Sequence, residues 1–338
     1  MLNAVLFKSQ ERFLAFKSTL EKYGVNVIVL DFACHEWIDY DYSQVDFLIY
    51  YPSFTYSSNY PLALQKVYDN LMFINSTYPD LKMFPDPKII KFYNDKYRQY
   101  LFLKTQNYPI PLTYPLLSEA SLTLADKELG YPMVIKNRYG AGGGSVYKVY
   151  NKKELQQFYD LSTLNLFNVG SLKHFFDLLS KRRFYYHLIK AKKMTYPFFS
   201  PPLLAQKFVK IDRDLKTVVG EGTVVEAHWR HQAHEKQWKV NIDDGGIGVW
   251  SKVPQAAIDL SVRLARELDT SWINLDMIMS DGQFLITEFS PVWHHYAYQE
   301  KSSFVYKDDY NIKMPLEVSL DLERIIVESL LRAVGSIK

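Results

Sequence analysis

Four groups of residues have the types and spacing to do chemistry together. Lys96 falls at the start of a helical stretch, and Lys136 ends the strand-like run Met133-Val134-Ile135-Lys136. That run enters Tyr139-Gly140-Ala141-Gly142-Gly143-Gly144-Ser145, which holds four of the chain's 14 glycines. Glycines in a turn between two strands let the backbone approach a ligand, and their amides cradle phosphate. Two lysines beside such a loop are what a nucleoside triphosphate needs around its phosphates. The third group is the edge-like strand Leu204-Ala205-Gln206-Lys207-Phe208-Val209, followed by Asp214. The fourth is Asp276 on one strand of a hairpin and Glu288 at the end of its partner. Carboxylates facing each other across a hairpin suit magnesium, which takes oxygen ligands and is held by one or two carboxylates plus phosphates.

Other reactive residues have simpler readings. Glu226, His228, His231 and His234 lie close in sequence, but on an alternating strand only 226 and 228 share a face. Imidazoles lining an acceptor pocket, or plain surface histidines, therefore fit better than a zinc site. His294 and His295, near the Glu288 end, are candidates for an acceptor site. Cys34 has no demonstrable base and reads as a buried or incidental thiol.

The elements that must position these groups follow from apolar patterning. Residues 4–7, 25–30 and 46–50 read as buried parallel strands, and 10–23 and 61–73 as helices, giving a small α/β layer punctuated by Pro79, Pro85 and Pro87. Asn94 or Asp95 caps a helix over 96–106. Strands are expected at 133–136 and 146–150, then a helix opened by a capping box at Asn151-Lys152-Lys153-Glu154. From residue 203 the chain is strand-rich: 203–209, 215–220, 223–229 and 237–240, with a turn at Glu221-Gly222. A helix over 254–268 precedes the hairpin 273–279/283–288, and an amphipathic helix covers 321–334. No glycine-rich turn follows the first strand, so a dinucleotide-binding reading has no support.

Composition narrows the function classes. The chain has 338 residues, enough for two or three domains. With 40 Lys+Arg against 37 Asp+Glu its net charge is +3, which argues against nucleic acid as the principal partner. No apolar run approaches the ~20 residues needed to span a bilayer, and the start lacks signal-peptide features. One cysteine excludes an intrachain disulfide framework. The expectation is a reduced, cytoplasmic protein with neither a nucleic-acid nor a membrane partner; a homo-oligomer stays open. Residues 171–195 carry seven Lys/Arg against the single acid Asp177, which reads as a solvated helix face or as a contact for an anionic substrate. On the second reading the carboxylate substrate carries extra negative charge.

Order and spacing from Asn94 to Val292 resemble the ATP-grasp superfamily, closest in style to ribosomal-protein glutamate ligases and more distantly to D-alanine–D-alanine ligases. The matching stretches are Asn94-Asp95-Lys96-Tyr97-Arg98, Tyr131-Pro132-Met133-Val134-Ile135-Lys136 with its glycine loop, Ala205-Gln206-Lys207-Phe208-Val209, and Asp214-Leu215-Lys216. Trp238-Lys239-Val240-Asn241-Ile242-Asp243-Asp244-Gly245-Gly246, Asn274-Leu275-Asp276 and Thr287-Glu288-Phe289-Ser290-Pro291 continue the series. The resemblance implies an α/β (α+β) ATP-grasp fold, with ATP held between two α+β subdomains behind a small N-terminal α/β domain with a parallel sheet. The division would be 1–92, 93–200 with the glycine-rich lid, and 201–338 with the metal site.

The same resemblance implies roles. Lys96 and Lys136 would bind ATP phosphates, and Gly142, Gly143, Gly144 and Ser145 would close over them as a lid. Gln206, Lys207, Phe208 and Val209 would meet the adenine and Asp214 the ribose. Asp276, Glu288 and Ser290 would hold Mg2+, with Asn241 coordinating or bridging to it. Arg230 and Lys239 would meet transition-state charge. Two positions depart from the family: Glu288-Phe289-Ser290 replaces its Glu-x-Asn, and Gln206 replaces a common acid. The implied activity is an ATP-dependent carboxylate–amine ligase working through an acylphosphate and releasing ADP and phosphate. Its partners would be small-molecule or peptide carboxylates and amines. A hydroxyl kinase of similar fold and a catalytically impaired ATP-binding module are the alternatives.

Overall fold

The structure, a computed structural model, describes residues 1–8, 12–51, 60–140, 145–163, 201–234, 237–240, 246–292 and 321–337, and the short pieces 170, 172–173, 176, 304–306 and 313–315. Three hydrophobic cores organise them.

The first core is built on parallel strands β1 (Asn3–Phe7), β2 (Asn26–Leu30), β3 (Phe47–Ile49) and β4 (Lys82–Phe84), in the order β2-β1-β3-β4. Helices α1 (Phe13–Lys22), α2 (Glu36–Asp39), α3 (Tyr60–Thr77) and α4 (Pro87–Ile90) accompany them. The central strands are buried end to end, as Ala4, Val5, Leu6, Phe47, Leu48 and Ile49 show, which is why they read as unbroken apolar runs. Strand β4 was not expected: Lys82-Met83-Phe84 is too short, between Pro79 and Pro85, to leave a pattern. Cys34, between β2 and α2, is exposed.

The second unit begins with α5 (Lys96–Thr105) and continues through β5 (Thr113–Leu116), α6 (Glu119–Leu129), β6 (Met133–Lys136), β7 (Val146–Val149) and α7 (Lys152–Ser162). Its antiparallel sheet runs β5-β8-β6-β7, where β8 is Leu203–Lys207. Because β8 is paired on both sides, it belongs to the central unit, and a division after residue 200 cuts that sheet.

The third unit is an antiparallel sheet, β11-β10-β9-β12-β13. Its strands are β9 (Arg213–Gly220), β10 (Thr223–His231), β11 (Ile247–Val249), β12 (Trp272–Ser280) and β13 (Gln283–Ser290), with α8 (Gln255–Glu267) packed on one face. Glu221-Gly222 and Asp281-Gly282 turn the two hairpins with φ of 48°, 81°, 51° and 79°, the positive angles that two-residue I′ turns require. The expected strand at 237–240 is not one; this segment has no ladder partner among the described residues. Strands β14 (Phe304–Tyr306) and β15 (Lys313–Pro315) pair with each other, and β14 lies against β10.

The last helix, α9 (Leu322–Ala333), returns to the first core, where Ile326, Val327 and Leu331 pack beside β-sheet residues. The buried pair Arg12–Glu323, 2.6 Å apart, joins the beginning of α1 to α9. The C-terminal helix therefore completes the N-terminal layer rather than the third unit.

Alternation along the third sheet separates apolar from polar chemistry. Leu215, Val219, Ala227, Ile273, Leu275 and Met277 belong to the α8 side, where Thr217 meets Ser261 at 2.8 Å. Period two then puts Asp214, Lys216, His228, Arg230, Asn274 and Asp276 on the opposite face.

Candidate functional site

The first turn of α5 is fixed before its lysine is used. Asp95 caps the helix by accepting from Arg98 N at 3.0 Å, and its carboxylate also takes the Arg138 fork, Nη2 at 2.7 Å. Lys96 N donates to Arg138 O at 2.9 Å. The helix start is thereby stitched to the strand leaving Lys136. Lys96 Nζ, almost fully buried, donates to Gly140 O and lies 3.6 Å from Glu288 Oε1. Gln99 supports this approach: it donates to Phe92 O at 2.8 Å and accepts from Phe289 N at 3.2 Å, next to Glu288.

Asp276 and Glu288 are directly opposed on β12 and β13. A bulge follows Asp276, spanned by a hydrogen bond from Thr287 Oγ1 to Asp276 O at 3.0 Å. Bulges of this kind re-aim side chains beside functional sites. Burial alone would raise the Asp276 carboxyl, but Arg230 and Lys216 outweigh it and hold it well below the usual carboxylate range. Lys216 Nζ is 2.9 Å from Asp276 Oδ1 and 3.0 Å from Asn274 Oδ1. Arg230 Nη2 is 3.3 Å from Asp276.

Lys136 is half-buried across the cleft. Its surroundings, chiefly burial and secondarily the Lys96 charge, push its ammonium from the ordinary 10.5 down to about 8, against the opposing pull of Glu288 and Asp276. Two lysines whose charges repel each other need anionic company. Two carboxylates supply part of it here, and triphosphate oxygens would supply more. At the base of the loop, Asn137 N donates to Ser145 O at 3.0 Å, and a Cβ on Gly140 (φ 146°) would lie 2.0 Å from Ser145 Oγ. Glycine is required there by both angle and space.

Several of the expected residues have partners within the protein. Asp214 accepts a fork from Arg230, Nε at 2.7 Å and Nη2 at 2.6 Å, so each of its oxygens serves the charge cluster on the sheet. Arg230 is in turn committed to Asp214 and Asp276. Ser290 Oγ donates to Val292 O at 2.8 Å, closing the turn after β13. Gln206 donates to Thr113 Oγ1 at 2.9 Å, and Lys207 N to Leu112 O at 2.8 Å, so both serve the central sheet. Phe208 and Val209 follow β8. Lys148 Nζ sits 3.7 Å from the Phe208 ring centre, and Trp238 meets that ring edge-on at 6.2 Å. Lys239 Nζ lies over Trp238 at 5.1 Å, on this aromatic side of the cleft. Gly142, Gly143, Gly144, Asn241, His294, His295 and the basic stretch apart from Lys173 lie outside the described residues.

Sequence reasoning gave no role to Lys216, Asn274, Lys148 or the Asp95–Arg138 latch. Lys216 was readable from alternation, since it is two residues after Asp214 on one strand. The latch depends on a long-range contact that spacing does not reveal.

The ATP-grasp domain family matches residues 93–167. Among solved structures, D-alanine–D-alanine ligase from Bacillus anthracis, complexed with ATP, is 14% identical with a TM-score of 0.61, covering 99% of this chain and 99% of that one. N5-carboxyaminoimidazole ribonucleotide synthetase from Thermotoga maritima is 15% identical with a TM-score of 0.57, covering 100% of this chain and 77% of that one. A RimK-domain ATP-grasp protein from Sphaerobacter thermophilus is 11% identical with a TM-score of 0.53, covering 85% and 90%. No curated protein matches. The chain has the ATP-grasp fold, with the family match over residues 93–167 and the likeness in fold to the three solved structures over 85–100% of its length.

Proposed function

We propose that the protein is an ATP-dependent ligase joining a carboxylate to an amine. The carboxylate would attack the γ-phosphoryl group of ATP, giving an acylphosphate and ADP; the amine would then displace phosphate to form an amide. The observation that carries this reading is the opposed pair Asp276 and Glu288, with Lys96 3.6 Å from Glu288 and Lys216 2.9 Å from Asp276. Two hard carboxylates beside a lysine-lined cleft suit Mg2+ with triphosphate, and the ATP-complexed structures of the same fold support the nucleotide. When bound, magnesium would supply charge neutralisation at the transferring phosphoryl group.

The chain's own residues do the positioning. Lys96 and Lys136 bind phosphate oxygens from two elements of the second unit, α5 and β6. Their separation is set by the Asp95–Arg138 fork and by the hydrogen bond from Lys96 N to Arg138 O. Lys216 and Arg230 keep positive charge fixed on the sheet face where negative charge develops, so little reorganisation accompanies the reaction. An acylphosphate hydrolyses in water, so a glycine-rich lid after Lys136 would serve to exclude water as well as to bind.

The test is ADP release from ATP and Mg2+ with pooled amino acids and dicarboxylic acids, with products read by mass spectrometry. An amide mass accompanied by equal ADP supports the reading. ADP with a phosphorylated hydroxyl overturns it in favour of a kinase, and no magnesium-dependent turnover with any acceptor overturns it in favour of a binding module.

A further inference from the structure

A short hydrogen-bond chain fixes which way a side-chain amide of the central sheet is turned. Thr113 Oγ1, buried on β5, donates to Pro111 O at 2.6 Å, and Gln206 Nε2 on β8 lies 2.9 Å from the same hydroxyl. A carbonyl oxygen can only accept, so the one hydroxyl proton of Thr113 is spent on Pro111 O. The hydroxyl can then only accept from Gln206, and an amide donates through its nitrogen alone. Nε2 is therefore the branch turned to Thr113, and Oε1 is the branch left over. Gln206 is half-buried, and its Oε1 has no hydrogen-bond partner among the described residues.

That oxygen stands partway along one face of the sheet. Met133, Ile135, Leu203 and Ala205 pack into the second unit's own core, so alternation puts Lys136, Leu204 and Gln206 on the opposite face. This is the cleft side, where Lys136 feels the charges of Glu288 and Asp276. Leu204 is opposite Lys136 and Gln206 opposite Val134, which sets Gln206 one strand and two residues from the lysine. The separation is ~8 Å between backbones. Two residues further on is Phe208, whose ring meets Lys148 from β7 and Trp238 from the third unit. The face thus passes from a cation, through an amide, to aromatic rings. A nucleotide with its phosphates at Lys136 would lay its flat base toward those rings, with one edge at Gln206.

We infer that Thr113 sets the base preference of the nucleotide site by holding the Gln206 amide in one orientation. The inference rests on the nucleotide half of the reading above. With Oε1 presented, the site accepts a hydrogen bond from an exocyclic amine such as the 6-amino group of adenine. Guanine carries an oxygen at that position, and two acceptors would face each other. Without the Thr113 hydroxyl the amide is free to turn over and offer Nε2 to that oxygen. Thr113 acts through Gln206 rather than on the nucleotide, so it is a positioning residue.

The experiment measures binding of ATP and of GTP, each with Mg2+, by calorimetry, with thermal melting to check folding. Wild type should hold ATP at least ~10-fold more tightly than GTP, within the discrimination that a base-edge contact gives. Thr113→Val keeps the shape and removes the hydroxyl, and Thr113→Ala removes it without an added methyl. Either should lower the ATP/GTP ratio by ~5-fold or more, whereas Thr113→Ser should keep it. Adding Gln206→Glu to Thr113→Val should restore the ratio, because an ionised carboxylate has no donor branch and needs no lock. A ratio unchanged in Thr113→Val and Thr113→Ala, or not restored by Gln206→Glu, overturns the inference and leaves the nucleotide reading standing. A wild type that binds ATP and GTP alike does the same. A wild type that binds neither overturns the nucleotide reading and this inference with it.

Discussion

Lys96 and Glu288 meet at 3.6 Å although one opens α5 and the other closes β13. The contact is held from both sides: Asp95 and Arg138 fix the lysine's helix turn, and Gln99 ties α5 to Phe289 N. The cation that would bind phosphate therefore sits against a carboxylate that would bind the metal, and each shields the other's charge until a ligand arrives.

Glu288→Gln tests the metal half of that arrangement. It keeps shape and removes charge, and Glu288 is not enclosed by the core. We expect ADP release to fall by at least ~100-fold, about 3 kcal/mol of transition-state stabilisation, with the melting temperature nearly unchanged. Undiminished ADP release would remove Glu288 from the metal site.

Ser290→Ala separates a turn residue from a ligand. The Ser290 hydroxyl donates to Val292 O, and Asn274 Nδ2 donates to the carbonyls of Ser290 and Val292 at 2.9 and 2.7 Å. Loss of one such buried hydrogen bond should cost about 1 kcal/mol in urea denaturation, with the Mg2+ dependence of turnover unmoved. A raised Mg2+ requirement would return Ser290 to the metal.

These cases show what sequence carried and where it stopped. Hairpins with Glu221-Gly222 and Asp281-Gly282 were legible because only a few residue types accept positive φ at both turn positions. The opposed carboxylates followed from the second hairpin. Strands β4 and β5, three and four residues long with prolines in or beside them, left too little periodicity. The partners of Asp214 and Ser290 were also hidden, because a motif position specifies a residue type and not whether Arg230 or Val292 reaches it first.

Lys136 should make nucleotide binding and stability depend on alkaline pH in opposite directions. With the free-protein ammonium near 8, ATP affinity measured by calorimetry should weaken as pH rises from 7 to 9, and binding near pH 8 should take up protons. For stability, the unfolded chain holds this proton up to the ordinary lysine range. Between about 8 and 10.5 the unfolded state therefore binds more protons, and the Lys136 contribution to stability rises with pH. Below about 8 both states are charged and the burial penalty is fully present. Lys136→Met should then stabilise the ligand-free protein near neutral pH by about 1–3 kcal/mol while nearly abolishing ATP binding. A variant that loses stability, or retains wild-type ATP affinity, would place the ammonium in a supporting ion pair instead.

Arg230 and Asp214 offer the sharpest test of how the charge cluster is built. Their side chains are 9% and 11% exposed and meet in a two-bond fork, so removing one partner leaves the other buried and unbalanced. Arg230→Met alone should cost about 3–5 kcal/mol in denaturant unfolding. The paired change, Asp214→Leu with Arg230→Met, should cost less than the sum of the single changes, since it removes both charges together. Asp276 keeps Lys216 as a partner in every variant, so the cycle isolates the fork. All three variants should lose turnover, because Arg230 also fixes charge beside Asp276. Additive stability effects, together with an Asp214→Asn variant that raises only the KM for ATP, would overturn this account. They would mean that the fork opens when nucleotide binds and that Asp214 then serves the ribose.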